Sequence, residues 1–141
     1  MEDILLQFIN TLEMLLKKQQ LELGNTTGFS KLTVSQLQYL DAVSVLEKPT
    51  ITEIAEEIKF SKASVTNGVN KLVEMGYLVK TQSDQDKREI HVSLSELGEQ
   101  LAQAKRNTLQ KFSELINSAL DEQEAVQFRN SLMKIINKFD L

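Results

Sequence analysis

Residues 83–92 read SDQDKREIHV. A polar, charged tip gives way to strict alternation, with Ile90, Val92 and Leu94 on one face and His91 and Ser93 on the other. That period of two is the mark of a half-buried strand. The preceding stretch GYLVKTQ, residues 76–82, is strand-like as well, so the pair predicts a β-hairpin with Lys87 and Arg88 at its tip. Almost everything around it has helical periodicity, so the fold question becomes why a helical chain carries one basic-tipped hairpin.

The segment just before the hairpin answers first. Thr50 followed by Glu53 has capping-box form and opens a short helix, ITEIAEEIKF, with Ile51, Ile54, Ala55 and Ile58 inward. Ser61 is the expected N-cap of the next helix, KASVTNGVNKLVEMG, where Val65, Val69, Leu72 and Val73 share a face and Gly76 supplies the stop. Two short helices joined by a tight turn suggest a helix-turn-helix. The exposed side of the second helix then offers Ser61, Lys62, Ala63, Ser64, Thr66, Asn67, Asn70 and Lys71. Asn and Lys suit base edges, Ser and Thr suit bases or phosphates, and methyl groups suit thymine. The same residue types cover any solvated helix face, and helix pairs of this kind also serve protein-binding modules. A wing directly after the pair shifts the balance toward DNA, because a basic tip suits the negative potential of a minor groove. Charge placement agrees. From Lys59 to Glu89 six cations face four anions, a local +2 in a chain whose net charge is −4.

Outward from this core, residues 3–24 carry Leu5, Phe8, Ile9, Leu12, Leu15 and Leu16 at helical spacing, with Gly24 as the expected stop and NTTGFSK as a loop. Thr33 and Gln36 form a second capping box, followed by a stripe of Leu37, Leu40, Val43 and Leu46 that Pro49 ends. A long helix is predicted from Ser95 to about Ser118, and a last one from Asp121 with Glu124 three residues on. The fold class is mainly α with a small β-hairpin. One domain is expected over residues 1–141, with a winged helix-turn-helix core at 33–94 and apolar-striped helices at 1–24 and 95–141. Those stripes must pack on each other, on the core or on a second chain.

The 141 residues are 41% hydrophobic and 26% charged, the composition of a soluble globular protein. Cysteine is absent, which excludes disulfides and thiolate metal sites. The N-terminus begins with Glu2 and Asp3 instead of a basic region, and its apolar run is broken by Gln7, Asn10 and Glu13, unlike a signal peptide. No apolar run approaches the roughly 20 residues that span a bilayer. A cytoplasmic protein without membrane contact is expected. No enzyme constellation stands out, and no cofactor or metal is expected. His91 has no Cys partner and no metal-ligand set, so a wing-surface role is expected of it. Gly68 lies outside any phosphate-loop spacing, and Asp84 and Asp86 suit a turn better than an acid–base pair.

Three stretches together resemble the MarR (multiple-antibiotic-resistance regulator) family of bacterial transcription factors: LTVSQLQYL at 32–40, TITEIAEEIKFSKASVTNGVNKLVEMGYLVK at 50–80 and SDQDKREIHVSLSELG at 83–98. The wing pattern, Ser-Asp-x-Asp-Lys-Arg, alternating apolar residues and then Leu-Ser-Glu-x-Gly, is the most specific part. The resemblance implies a homodimer whose N- and C-terminal helices interlock, two winged helices on a pseudo-palindromic operator, and repression as the expected sense of regulation. It implies that Asp86 orients the wing and that Arg88, with Lys87, enters the minor groove. It further implies a small aromatic or anionic effector in a cleft for which Phe8, Leu12, Phe29, Leu37, Tyr39 and Leu40 are candidates. Each of the six suits an ordinary core or dimer-interface position better than a ligand contact. The sequence departs from the family pattern at Gly68, where a larger apolar residue is usual, and at Asn67 and Asn70, where more charge is usual. The competing function is a winged-helix protein-interaction module without DNA binding.

Overall fold

The computed structural model describes residues 1–22 and 31–139, with backbone alone for residues 16 and 19–22. The helices are α1 (Glu2–Glu22), α2 (Val34–Leu46), α3 (Ile51–Ile58), α4 (Lys62–Glu74), α5 (Glu96–Ala119) and α6 (Glu122–Ile136). Between α4 and α5 lie strands β1 (Leu78–Gln82) and β2 (Ile90–Leu94). The chain forms two compact units, residues 1–105 and the residues from Arg106 onward, with the boundary inside α5. The expected loop at 25–31 falls almost wholly outside the described residues.

Local sequence sets the helix starts. Thr33, Thr50 and Asp121 each accept from the backbone N–H three residues on, and Gln36, Glu53 and Glu124 reach back to the cap's own N–H. Each reciprocal pair satisfies two backbone donors that a helix start leaves orphaned. Ser61 caps α4 by accepting the Ser64 N–H at 3.2 Å. Gly76 follows α4 with φ +86°, the left-handed stop that glycine takes without strain.

In the first unit one core joins α2, α3, α4, the hairpin and the start of α5. Ile54, Val65, Val69, Leu72 and Val92 have no exposed surface. α2 is buried more broadly than its predicted stripe, because Tyr39 and Ala42 join Leu40 and Val43 in the core while Leu37 and Leu46 are half-buried. Packing against α3, α4 and β2 together requires more than one face of this helix.

The hairpin is antiparallel, with Leu78 opposite Leu94, Lys80 opposite Val92 and Gln82 opposite Ile90. Val92 is buried as expected, but Ile90 is 43% exposed. Ile90 opens β2 at the tip end, beyond the reach of the helical core, so alternation places it on the right face without covering it. β2 has a further neighbour. Thr50 forms an isolated bridge with His91, and the Val92 N–H donates to the Pro49 carbonyl at 2.8 Å. Glu47 and Lys48 take left-handed φ values of 52° and 60° to bring the chain into this position.

The Leu-Ser-Glu-x-Gly motif anchors α5. The Ser95 N–H donates to the Tyr77 carbonyl at 2.9 Å, and the Ser95 hydroxyl accepts the Gly98 N–H at 3.1 Å. A Cβ at Gly98 would lie 2.2 Å from the Tyr77 carbonyl oxygen, so only glycine permits this approach. One turn after the buried Leu101, Lys105 donates to the Asp41 carboxylate on α2.

Elsewhere apolar surface is left open. On α1, Ile4, Leu5, Leu6, Phe8 and Ile9 are between 46% and 61% exposed. In the second unit Leu115, Val126, Ile135 and Ile136 are more than half exposed, and no residue of α6 is buried. Substitution at the two kinds of site separates them. Leu72→Ala is expected to lower unfolding free energy by about 2–5 kcal/mol. Val34→Ala, at a 75% exposed position, is expected to change it by less than about 0.5 kcal/mol. Urea unfolding followed by circular dichroism measures both.

Candidate nucleic-acid interface

The outer side of α4 is determined by what its inner side buries. Val65, Val69 and Leu72 point into the core, so helical geometry sends Ala63, Asn67 and Asn70 outward. Lys62, Ala63, Ser64, Asn67, Asn70 and Lys71 are exposed, and Thr66 is half-buried. Several of these polar groups already have partners. The Ser61 hydroxyl donates to the Ser64 hydroxyl at 3.0 Å while serving as the cap. The Thr66 hydroxyl donates to the Lys62 carbonyl at 2.8 Å, so its proton is used inside the helix. Lys71 lies 3.5 Å from the Glu74 carboxylate, an exposed pair that solvent weakens. Lys62 and Asn67 have no side-chain hydrogen bond or ion pair among the described residues.

The wing tip is a set of side-chain-to-backbone hydrogen bonds. The Ser83 hydroxyl accepts the N–H groups of Gln85 and Asp86, each at 3.3 Å. The Asp86 carboxylate accepts the Arg88 N–H at 2.9 Å, and the Asp86 carbonyl accepts the Glu89 N–H at the same distance. The Gln82 side-chain amide donates to the Lys87 carbonyl. Such local bonds are why Asp and Ser favour turns. Asp86 therefore contacts the backbone of Arg88, and among the described residues no carboxylate pairs with the guanidinium. The side chains of Lys87 and Arg88 stay exposed, held at the end of a shaped turn.

α4 and the wing are joined by a contact absent from the sequence reading. The Lys80 ammonium on β1 donates to the Asn70 side-chain carbonyl. Lys80 sits opposite the buried Val92, on the strand face that turns inward. A lysine there must run its stem along apolar surface and bring its charge out at the edge, and Asn70 meets it. That strand position was the available signal. With its carbonyl engaged, Asn70 is less suited to the two-bonded contact with adenine that requires both the amide oxygen and nitrogen.

His91 is tied down as well. Its Nδ1 lies 2.8 Å from the Lys48 carbonyl, where it donates, and Nε2 lies 3.6 Å from the Glu89 carboxylate. The expected surface histidine thus joins the wing to the turn before α3.

Five of the six effector candidates lie within the described residues, and their burial differs. Tyr39 and Leu40 are sealed in the core at 5% exposure each, because α2 turns both toward α3 and α4. Leu37 and Leu12 are half-buried, Phe8 is 46% exposed on α1, and Phe29 lies outside the described residues.

Residues 30–89 match the MarR family model. The uncharacterized HTH-type transcriptional regulator YhjH of Bacillus subtilis (strain 168) is 29% identical over 121 residues, covering 84% of this chain and 67% of its own. The transcriptional regulator ZitR of Lactococcus lactis subsp. cremoris (strain MG1363) is 29% identical over 113 residues, 77% of each chain. In fold, the chain is similar to Streptococcus pneumoniae FabT in complex with DNA. That TM-score is 0.73 at 21% identity, covering 96% of this chain and 92% of that one. A MarR-like regulator from Thermotoga maritima gives a TM-score of 0.69 at 20% identity, covering 96% of both chains. No described helix is long and apolar enough to cross a membrane. Over residues 30–89 the chain is therefore similar to the MarR family of transcriptional regulators, and its winged helix-turn-helix has the fold of these relatives.

Proposed function

We propose that the protein binds duplex DNA in the cytoplasm as a homodimer and represses transcription from a pseudo-palindromic operator. The observation that carries this reading is the cationic and amide-bearing surface running from α4 through the Asn70–Lys80 contact to the wing tip. α4 enters the major groove with Lys62, Ala63, Ser64, Asn67 and Lys71. Ser61 and Thr66 shape the helix start, and Asn70 acts chiefly by holding the wing. Asp86 orients the tip, and Lys87 and Arg88 enter the adjacent minor groove. The dimer is held by the helices over 1–24 and 95–141, where this chain alone leaves Ile4, Leu5, Leu115, Val126 and Ile136 about half exposed or more. Two-fold symmetry then accounts for an inverted repeat with half-sites about one helical turn apart. The DNA complex of FabT, similar in fold, supports the same use of the winged helix. Release follows from a small aromatic or anionic effector, provided it prefers one spacing of the recognition helices over the other.

Selection from a random duplex pool tests the reading directly, and an enriched inverted repeat is the expected outcome. A protein that elutes as a dimer yet retains no DNA at low salt would make it the protein-interaction module instead. On the selected duplex, Arg88→Ala is expected to weaken binding by on the order of tenfold without altering the dimer. Fluorescence anisotropy at fixed salt reads this, and unchanged affinity would remove the wing from the interface. Lys71→Ala is expected to weaken binding to all sequences and to reduce the salt slope by about one. For the α4–wing contact, Lys80→Ala and Asn70→Ala are each expected to lower affinity, and the double variant to lose no more than about twofold beyond the worse single. Additive losses would show that the two side chains act separately.

A further inference from the structure

Tyr39 lies on α2, outside the helix-turn-helix, yet it touches both the turn and the recognition helix. Its ring is edge-on to Phe60, with centroids 6.0 Å apart at 86°. Its hydroxyl points at the Ser64 carbonyl, 3.4 Å away. Its ring covers Gly68, where a Cβ would fall 2.1 Å from Cε2 and 2.7 Å from both Cδ2 and Cζ. No real side chain tolerates those distances, so Gly68 and the Tyr39 ring occupy one space. A glycine inside a helix is unfavourable relative to alanine, and here its missing side chain admits the ring.

The place of this contact on α4 matters. Ser64 and Gly68 are one turn apart on a single edge of the helix. That edge lies between the buried side, Val65, Val69 and Leu72, and the outward side, Asn67 and Asn70. Contact with the buried side sets how far α4 stands from the core. Contact on the edge resists rotation of α4 about its own axis. Side-chain tips lie roughly 5–6 Å from a helix axis, so a rotation of about 10° displaces them by roughly 1 Å. That exceeds the ~0.5 Å range of good hydrogen-bond distances. Contacts to base edges are lost at such a displacement, whereas long lysine and arginine side chains follow the phosphates.

We propose that Tyr39, seated in the space opened by Gly68, is a positioning residue that sets the rotation of the recognition helix and thereby base discrimination. The inference rests on the DNA-binding reading above. It predicts that the ratio of affinities for the selected duplex and for poly(dI-dC) changes more than either phosphate-driven affinity or folding does.

The experiment measures that ratio by anisotropy for the full-length protein and for Gly68→Ala, Tyr39→Val and the double variant, each with a circular dichroism spectrum. Gly68→Ala is expected to lower the ratio by at least about tenfold, with poly(dI-dC) affinity within about threefold of the parent. Tyr39→Val removes Cδ2, Cε2 and Cζ together and is expected to lower the ratio about fivefold or more. In the Tyr39→Val background, Gly68→Ala is expected to change the ratio by less than about twofold, because the two substitutions act on one contact. The proposal is overturned by an unchanged ratio in Gly68→Ala, by equal losses on both DNAs, or by the same loss with and without the tyrosine ring. Should Gly68→Ala fail to fold, the Tyr39→Val ratio decides, and an unchanged value overturns the proposal. A parent protein that does not discriminate between the two DNAs overturns the DNA-binding reading itself.

Discussion

The backbone hydrogen bond from Val92 to the Pro49 carbonyl, at 2.8 Å, holds the wing to the start of the helix-turn-helix. A two-stranded hairpin is marginal in water on its own. Here β2 gains a neighbour at Thr50, a buried Val92 side chain and the His91 bond to the Lys48 carbonyl. Proline has no N–H to give, but its carbonyl is a full acceptor, and the residue that ends one helix becomes the anchor for a strand. Thr50 likewise caps α3 and pairs with β2. The wing's base and the first helix of the motif are therefore one structural unit, and the position of Lys87 and Arg88 relative to α4 follows from it.

On that frame the polar residues divide their work. Ser61, Ser83 and Asp86 spend their side-chain oxygens on nearby backbone N–H groups. They give shape. The Asn70–Lys80 contact spans the gap between α4 and β1. Lys62, Asn67, Lys87 and Arg88 remain exposed on that shaped surface. An acidic chain can in this way present a local cationic face, because the charges are arranged by the fold and not averaged over it.

Tyr39 illustrates how a motif extends beyond its usual borders. As an aromatic residue on an apolar-striped helix it suited a core or dimer interface better than a ligand cleft. The structure seats it against Gly68 and Phe60, which turns an irregularity in α4 into a fitted contact. Ser95 and Gly98 do the same for α5 at the Tyr77 carbonyl. In both places a glycine is required by the approach of another element.

Much of this protein was determined by sequence alone. The three capping boxes, the Ser61 cap and the period-two alternation of β2 act over a few residues, so they define their elements without knowledge of the rest of the fold. The hairpin after two short helices was sufficient to imply a winged helix. Only the tertiary structure decided which residues share a space. The seating of Tyr39 on Gly68, the reach of Lys80 to Asn70, the anchoring of His91 on Lys48 and the exposure of Ile90 all depend on distances between segments far apart in the chain. Periodicity reports which face of an element turns inward. It carries no information about what meets that face, because that is set by how helices and strands pack against one another.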